Sequence, residues 1–114
     1  MTNIIKAGLT NAELRATAPA VKDDYQSGEC LPEQTGDGTV KTFTFSSPVQ
    51  MVHVEGNGID TDVARVDPFG GTPSAIQGFR AANEVGVYLP VTCTVVKVFA
   101  PTGMIITVQG FRRT

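Results

Sequence analysis

Histidine is almost missing from this chain: His53 is the only one in 114 residues. Hydrolysis through a serine or cysteine nucleophile needs a base beside it. A lone histidine on an alternating stretch, with no acidic partner at a telling spacing, reads as a surface or rim residue. Cysteine is equally scarce. Cys30 and Cys93 form no CxxC pair and have no histidine close in sequence, so no zinc site is indicated. They read as buried free thiols in preference to a disulfide, because nothing points to an oxidising compartment. Tryptophan is absent and tyrosine is limited to Tyr25 and Tyr88, which counts against an aromatic platform for sugars. Charged residues make up 18% of the chain, below the roughly 25% usual in soluble domains. Such a surface is either rich in Thr, Ser and Gln or partly covered by a partner. A formal net charge of −2 sets up no field that would attract nucleic acid. No run approaches the ~20 apolar residues of a membrane span. Met1-Thr2-Asn3-Ile4-Ile5-Lys6 leads into no signal-like apolar stretch. The expectation is a product of the cytoplasm that engages no membrane.

The remaining chemistry-bearing residues form no motif. Glu55, Asp60, Asp62, Asp67 and Glu84 could supply paired carboxylates for glycoside hydrolysis, but any acidic chain offers such pairs. The stretch Glu55-Gly56-Asn57-Gly58-Ile59-Asp60-Thr61-Asp62 concentrates the oxygen ligands that calcium prefers, without EF-hand spacing. Asn and Asp also initiate turns through their own side chains, and a turn is the expectation. Gly36-Asp37-Gly38 and Gly56-Asn57-Gly58 lack the following helix and lysine that make a phosphate cradle specific. The Arg112-Arg113 pair reads as a solvated tail or an ion pair. No catalytic residue, metal or cofactor is predicted, and the chain is not expected to be an enzyme.

What the chain does have is β-forming sequence. Thr39-Val40-Lys41-Thr42-Phe43-Thr44-Phe45 alternates, with Phe43 and Phe45 on one face. Ser46-Ser47-Pro48 breaks it, Val49 to Glu55 follows with Val52 and Val54 inward, and Gly56-Asn57-Gly58 ends it as a turn. A short strand is expected at Asp62–Asp67. Ala75 to Asn83 stays open between a short helix and a strand. Val85, Val87 and Leu89 share one face of the next. Five to seven short strands with turn signals between them are the pattern of a sandwich or barrel. Ile76-Gln77-Gly78-Phe79-Arg80 is echoed by Val108-Gln109-Gly110-Phe111-Arg112, which is either a duplicated strand end or coincidence.

The densest β sequence comes last. Val91–Ala100 and Met104–Phe111 are joined by Pro101-Thr102-Gly103 and read as a central hairpin closed by a three-residue turn. Val95, Phe99, Met104, Ile106 and Val108 are assigned to one face and Val96, Val98, Ile105 and Phe111 to the other. A sheet with one face in water should alternate cleanly, so the second face is covered by the domain itself or by another subunit.

Residues 1–38 look different. They carry three cations against six carboxylates, a net −3, and show no sustained periodicity. A short helical turn at Asn11–Ala16 would be marginal alone, and Pro19 closes it. A segment this long is read as an extended arm, with Ile4, Ile5, Leu9, Leu14, Val21, Tyr25 and Leu31 as anchors that order on a neighbour; a frayed terminus is the alternative. The expected organisation is an arm over residues 1–38 and a β-sandwich domain over 39–114.

The acidic arm, the Leu31-Pro32-Glu33-Gln34-Thr35-Gly36-Asp37-Gly38-Thr39-Val40-Lys41-Thr42-Phe43-Thr44-Phe45 entry into the sheet and a Thr/Val-rich body resemble the small β-sandwich virion proteins of tailed bacteriophages, in particular capsid decoration proteins. The likeness is one of layout over the whole chain, with no motif to transfer. It implies an all-β fold, a small antiparallel β-sandwich or jelly-roll-like barrel with an N-terminal arm. It also implies location in the virion, a major capsid protein or other virion protein as partner, and a homo-oligomer, often a trimer. The expected contacts are Ile4, Ile5, Leu9 and Leu14 in the arm and Val96, Val98, Ile105 and Phe111 on the sheet. The other reading is a sandwich module of a phage tail or fibre that recognises carbohydrate or a host surface.

Overall fold

The computed structural model describes residues 25–113. Among them run nine strands: β1 (Tyr25–Cys30), β2 (Gln34–Thr35), β3 (Val40–Val49), β4 (Met51–Asn57), β5 (Val63–Asp67), β6 (Phe79–Ala82), β7 (Val87–Leu89), β8 (Cys93–Phe99) and β9 (Ile105–Arg113). They form two antiparallel sheets. The first has the order β1-β9-β4-β7, with β2 also paired to β9, and the second the order β3-β8-β5-β6. The all-β architecture expected from the alternating stretches is the one observed.

The core follows from the period of two. Alternate residues of a strand face opposite sides of its sheet, and the apolar members turn inward. Phe43 and Phe45 on β3, Val52 and Val54 on β4, and Ala64 and Val66 on β5 are all buried. From β8 and β9 come Val96, Val98, Ile106 and Val108, and both sheets contribute to one continuous cluster. Burying each such Val, Ile or Phe contributes on the order of 1.5–3 kcal/mol, so this interior holds the two layers together.

The ladder corrects the central hairpin. β8 pairs with β3 and β5, whereas β9 pairs with β1, β2 and β4. The Pro101-Thr102-Gly103 link therefore carries the chain from one sheet to the other, as an arch. Its two arms face each other across the core instead of lying side by side. Val96, Val98, Met104, Ile106 and Val108 all point into the sandwich and are fully buried. The double-sided apolar character has a simple cause: each arm turns one face to the other sheet.

The arch is pinned by the chain entering from β2. The Gly36 amide donates to the Met104 carbonyl at 2.7 Å and the Gly103 amide to the Gly36 carbonyl at 2.9 Å. The Gly38 amide adds a bond to the Ala100 carbonyl at 3.1 Å. Gly103 has φ +90°, a left-handed conformation that glycine adopts at no steric cost. Within residues 25–35, expected in the arm, Tyr25–Cys30 and Gln34–Thr35 are strands of the first sheet, both paired with β9. The ambiguous 75–83 segment resolves into a loop followed by β6. Val85 leaves the face shared by Val87 and Leu89 and sits exposed in the turn before β7. The echoed pentapeptides fall in different sheets: Gly78 is an exposed loop residue with φ +119°, while Gly110 is buried in β9.

Candidate interaction surfaces

Ile4, Ile5, Leu9, Leu14 and Val21 lie outside the described residues. Of the sheet contacts, Val96 and Val98 are corrected by the fold. Both are fully buried between the sheets, because β8 turns them toward β9, and neither can meet a partner. Ile105 is 40% exposed, opposite Asn57 at one end of β9, and Phe111 is half-buried opposite Met51 at the other. Six residues of strand separate them by about 20 Å, so the structure does not gather the four sheet residues into one site.

It gathers others. On the outer face of the first sheet, β4 and β7 are in register with His53 opposite Tyr88. Their rings stack at 4.2 Å between centroids, and Phe111 lies 6.4 Å from Tyr88. Gln109 is opposite His53 on β9. Tyr88 remains 58% exposed. Half-burial disfavours the imidazolium and pulls the His53 pKa down, with the nearby Glu55 carboxylate pushing the other way. Alternation alone places His53 and Tyr88 outward, since their neighbours Val52, Val54, Val87 and Leu89 turn inward. Their juxtaposition depends on a strand pairing that periodicity does not reveal.

The β5–β6 hairpin carries the largest exposed apolar groups. Its 68–78 loop is built, not loose. The Asp67 carboxylate accepts from the amides of Phe69 (2.7 Å) and Gly71 (3.1 Å), and Ser74 and Gln77 exchange backbone bonds of 3.0 and 3.3 Å. That frame holds Phe69 and Ile76 in water, 70% and 83% exposed, with Phe69 6.1 Å from Phe79. At the other end of the hairpin, Ile59 and Val85 are 68% and 73% exposed. Their loops are tied together. Asn83 Oδ1 accepts from the Gly58 amide at 2.6 Å, and the Glu84 amide donates to the Gly56 carbonyl at 2.8 Å. Asp62 Oδ2 caps the turn by accepting from the Ile59 amide at 3.1 Å, which is the turn reading of this acidic stretch.

Two charged networks brace the frame. Arg112 donates through Nη2 to Glu29 Oε1 at 2.6 Å and to the Ser47 carbonyl at 2.9 Å, and through Nε to the Pro48 carbonyl at 3.2 Å. Glu29 also accepts from the Ser46 hydroxyl at 2.9 Å, so this clamp joins β1 and β9 to β3 across the two sheets. The Arg112 and Ser46 hydrogen bonds hold the Glu29 carboxyl below its ordinary range. Asp37, bonded by Thr39 and paired with Lys41 Nζ at 2.9 Å, is lowered to about 2. Cys30 is exposed, correcting the expectation that both thiols are buried; Cys93 is half-buried, and desolvation raises its pKa.

A shallow cleft of about 300 Å³ opens between β2 and β3, lined by Leu31, Pro32, Gln34, Thr42, Phe43 and Thr44. It contains no titratable side chain. Among the described residues no three His, Cys, Asp or Glu side chains come together as a ligand set. What the surface offers is contact: ordered loops and a strand face that present apolar and aromatic groups. Comparison with protein-family models, curated proteins and solved structures found no match.

Proposed function

We propose that this is a non-enzymatic structural protein of a virion, one that docks on a capsid and stabilises it through contacts between protein subunits. The observation that carries the reading is the display of Phe69, Ile76, Ile59 and Val85 on loops held by side-chain caps and backbone bonds. Large apolar groups fixed in water mark contact surfaces more often than isolated exposed ones do, and a framed loop loses little entropy when a partner covers it. The layout resemblance gives the reading its particular form, with a major capsid protein as the partner that the segment before β1 attaches to.

The test is cosedimentation of the full-length protein with purified empty capsid shells of the virus that encodes it. Saturable binding is expected. Replacing Ile4, Ile5, Leu9 and Leu14 together by Ser should weaken it at least tenfold; unchanged binding would remove the arm from the mechanism. Absence of shell binding by the unmodified protein would sink the virion reading itself.

The stacked His53–Tyr88 pair beside Phe111 favours a second reading, a module that binds carbohydrate on the outer face of the first sheet. Exposed rings next to amide groups such as Gln109 suit sugar faces and hydroxyls. A glycan array separates the two readings: a specific hit that Tyr88→Ala abolishes supports the second.

A further inference from the structure

We infer that the β5–β6 hairpin is the self-association element of this protein, its tip on one copy meeting its base on the next. This inference rests on the assembly reading above and names the partner of those loops as a second copy of the chain. The two ends of the hairpin are complementary in charge as well as apolar. At the tip, Phe69, Ile76 and Phe79 adjoin Arg65 and Arg80, which lie directly opposite each other across the ladder. Like charges in facing positions are destabilising unless something between or above them is negative. Asp67, the acid on the same face, has Oδ1 engaged by the loop amides. Neither arginine has an ion-pair partner among the described residues. Arg65 Nε is buried without a hydrogen-bond partner, and Arg65 Nη1 makes only a long 3.4 Å bond to the Gly78 carbonyl. Buried donors are nearly always satisfied, and the tip's two guanidinium groups outnumber its one carboxylate, Asp67.

The base supplies carboxylates. Ile59 is followed by Asp60, and Val85 is preceded by Glu84, with Glu55 and Asp62 behind them. The segments 55–63 and 83–87 contain no cation. Arg80 lies on β6 and Glu84 four positions later in the turn that follows it, so one short hairpin presents a basic apolar end and an acidic apolar end. A tip-to-base contact would place Glu84 and Asp60 of one copy against the guanidinium groups of the next, and Ile59 and Val85 against Ile76 and Phe69. Such a contact is heterologous: it joins unlike patches, and repeats into a ring or a chain.

The experiment uses full-length protein and two variants that change only exposed side chains, Ile76→Ser at the tip and Val85→Ser at the base. Unmodified protein at about 100 µM should sediment as an oligomer. Each variant alone should associate about 100-fold more weakly, as expected when a central contact residue is lost, with an unchanged unfolding midpoint when both proteins are dilute enough to be monomeric. Mixed one to one, the variants should yield a species of twice the monomer mass and nothing larger, because only one intact tip and one intact base remain per pair. A monomeric unmodified protein, variants that stay assembled, or a mixture that stays monomeric would each overturn the inference. Shell cosedimentation, measured separately, reads the assembly function: self-association without shell binding would leave the hairpin contact standing and remove the virion role.

Discussion

Glycine 110 shows how closely the two layers approach. A methyl group there would lie 2.6 Å from Val49 Cγ1 and 2.7 Å from Phe45 Cε1, inside the contact distance of packed carbons. Gly110→Ala should therefore cost about 1–3 kcal/mol as the core is overfilled. Phe45→Ala, which empties the same spot, should cost about 3–5 kcal/mol. Val95→Ala on the outer face of β8 should stay within about 0.5 kcal/mol. Urea unfolding midpoints at constant m-value check the ordering. At this scale the sequence was readable: Phe43 and Phe45 on one face, and Val52 and Val54 inward, follow from period two and are buried as expected. Gly110 was not, because its close approach comes from side chains on β3 that meet it across the sandwich. Its resemblance to Gly78 in the echoed pentapeptide carries no structural meaning.

Strands were legible where alternation was strong, and their partners were not. β4, β8 and β9 stand where Val- and Thr-rich runs placed them; β3 starts where expected but runs through the expected break at Ser46-Ser47-Pro48 and takes Val49 from the next strand. The error lay in the link between β8 and β9. A proline and a glycine in a three-residue connection suit a hairpin and an arch equally, and β-branched residues on both faces of each arm gave no asymmetry to separate them. What distinguishes the arch is Gly36, distant in sequence, whose amide and carbonyl satisfy Met104 and Gly103. Gly36 is also buried with no room for a side chain: a Cβ would overlap the Pro101 carbonyl and approach Ala100 Cβ at 2.8 Å. Gly36→Ala is expected to separate the β2–β3 entry from the arch. In native-state hydrogen exchange, the amides of Gly36, Gly38 and Gly103 should lose protection at least tenfold while those of β4 keep theirs. Uniform protection in the variant would show that the arch stands without this tie. The same scale explains the misplaced interface. Val96 and Val98 form a second outer face only if β8 lies beside β9; with β9 in the opposite sheet, they are core. Exposure lies instead in the β5–β6 loop, where Pro68, Gly70, Gly71 and Pro73 mark a turn and say nothing of contact.

At the scale of the whole molecule, four perturbed groups among the described residues shape how stability responds to pH. His53 prefers to be neutral in the fold, its pKa lowered from 6.5 chiefly by desolvation. Its contribution is complete above pH 6.5 and is lost as pH falls toward the lower folded value. The Glu29 carboxylate, lowered from 4.5 mainly by Arg112 and Ser46, stabilises above pH 4.5 and loses that effect as pH falls through its folded pKa. Asp37, lowered from 3.8 to about 2, does the same between those two values. At the alkaline end, burial raises the Cys93 pKa above 9.0, so the unfolded chain gives up that proton first and stability falls as pH climbs past 9. The expected profile is a plateau from about pH 7 to pH 9, with a shallow decline below 6.5 and a steeper one below 4.5 where carboxylates protonate. Denaturation midpoints across this range test it one group at a time. His53→Gln should flatten the limb between pH 6.5 and 5 and leave the steeper limb intact. Glu29→Gln should lower the plateau and flatten the curve just below 4.5, since the amide keeps the shape and loses the charge that Arg112 meets. Added salt at pH 7 should diminish the exposed Asp37–Lys41 contribution and leave that of His53, because solvent ions screen charge pairs in water and do not relieve desolvation. An unmodified protein whose midpoint rose on acidification from pH 6.5 to 5.5 would show that the imidazolium is welcomed by the Glu55 side of the sheet, and that the stacked ring pair is not the dry platform its burial implies.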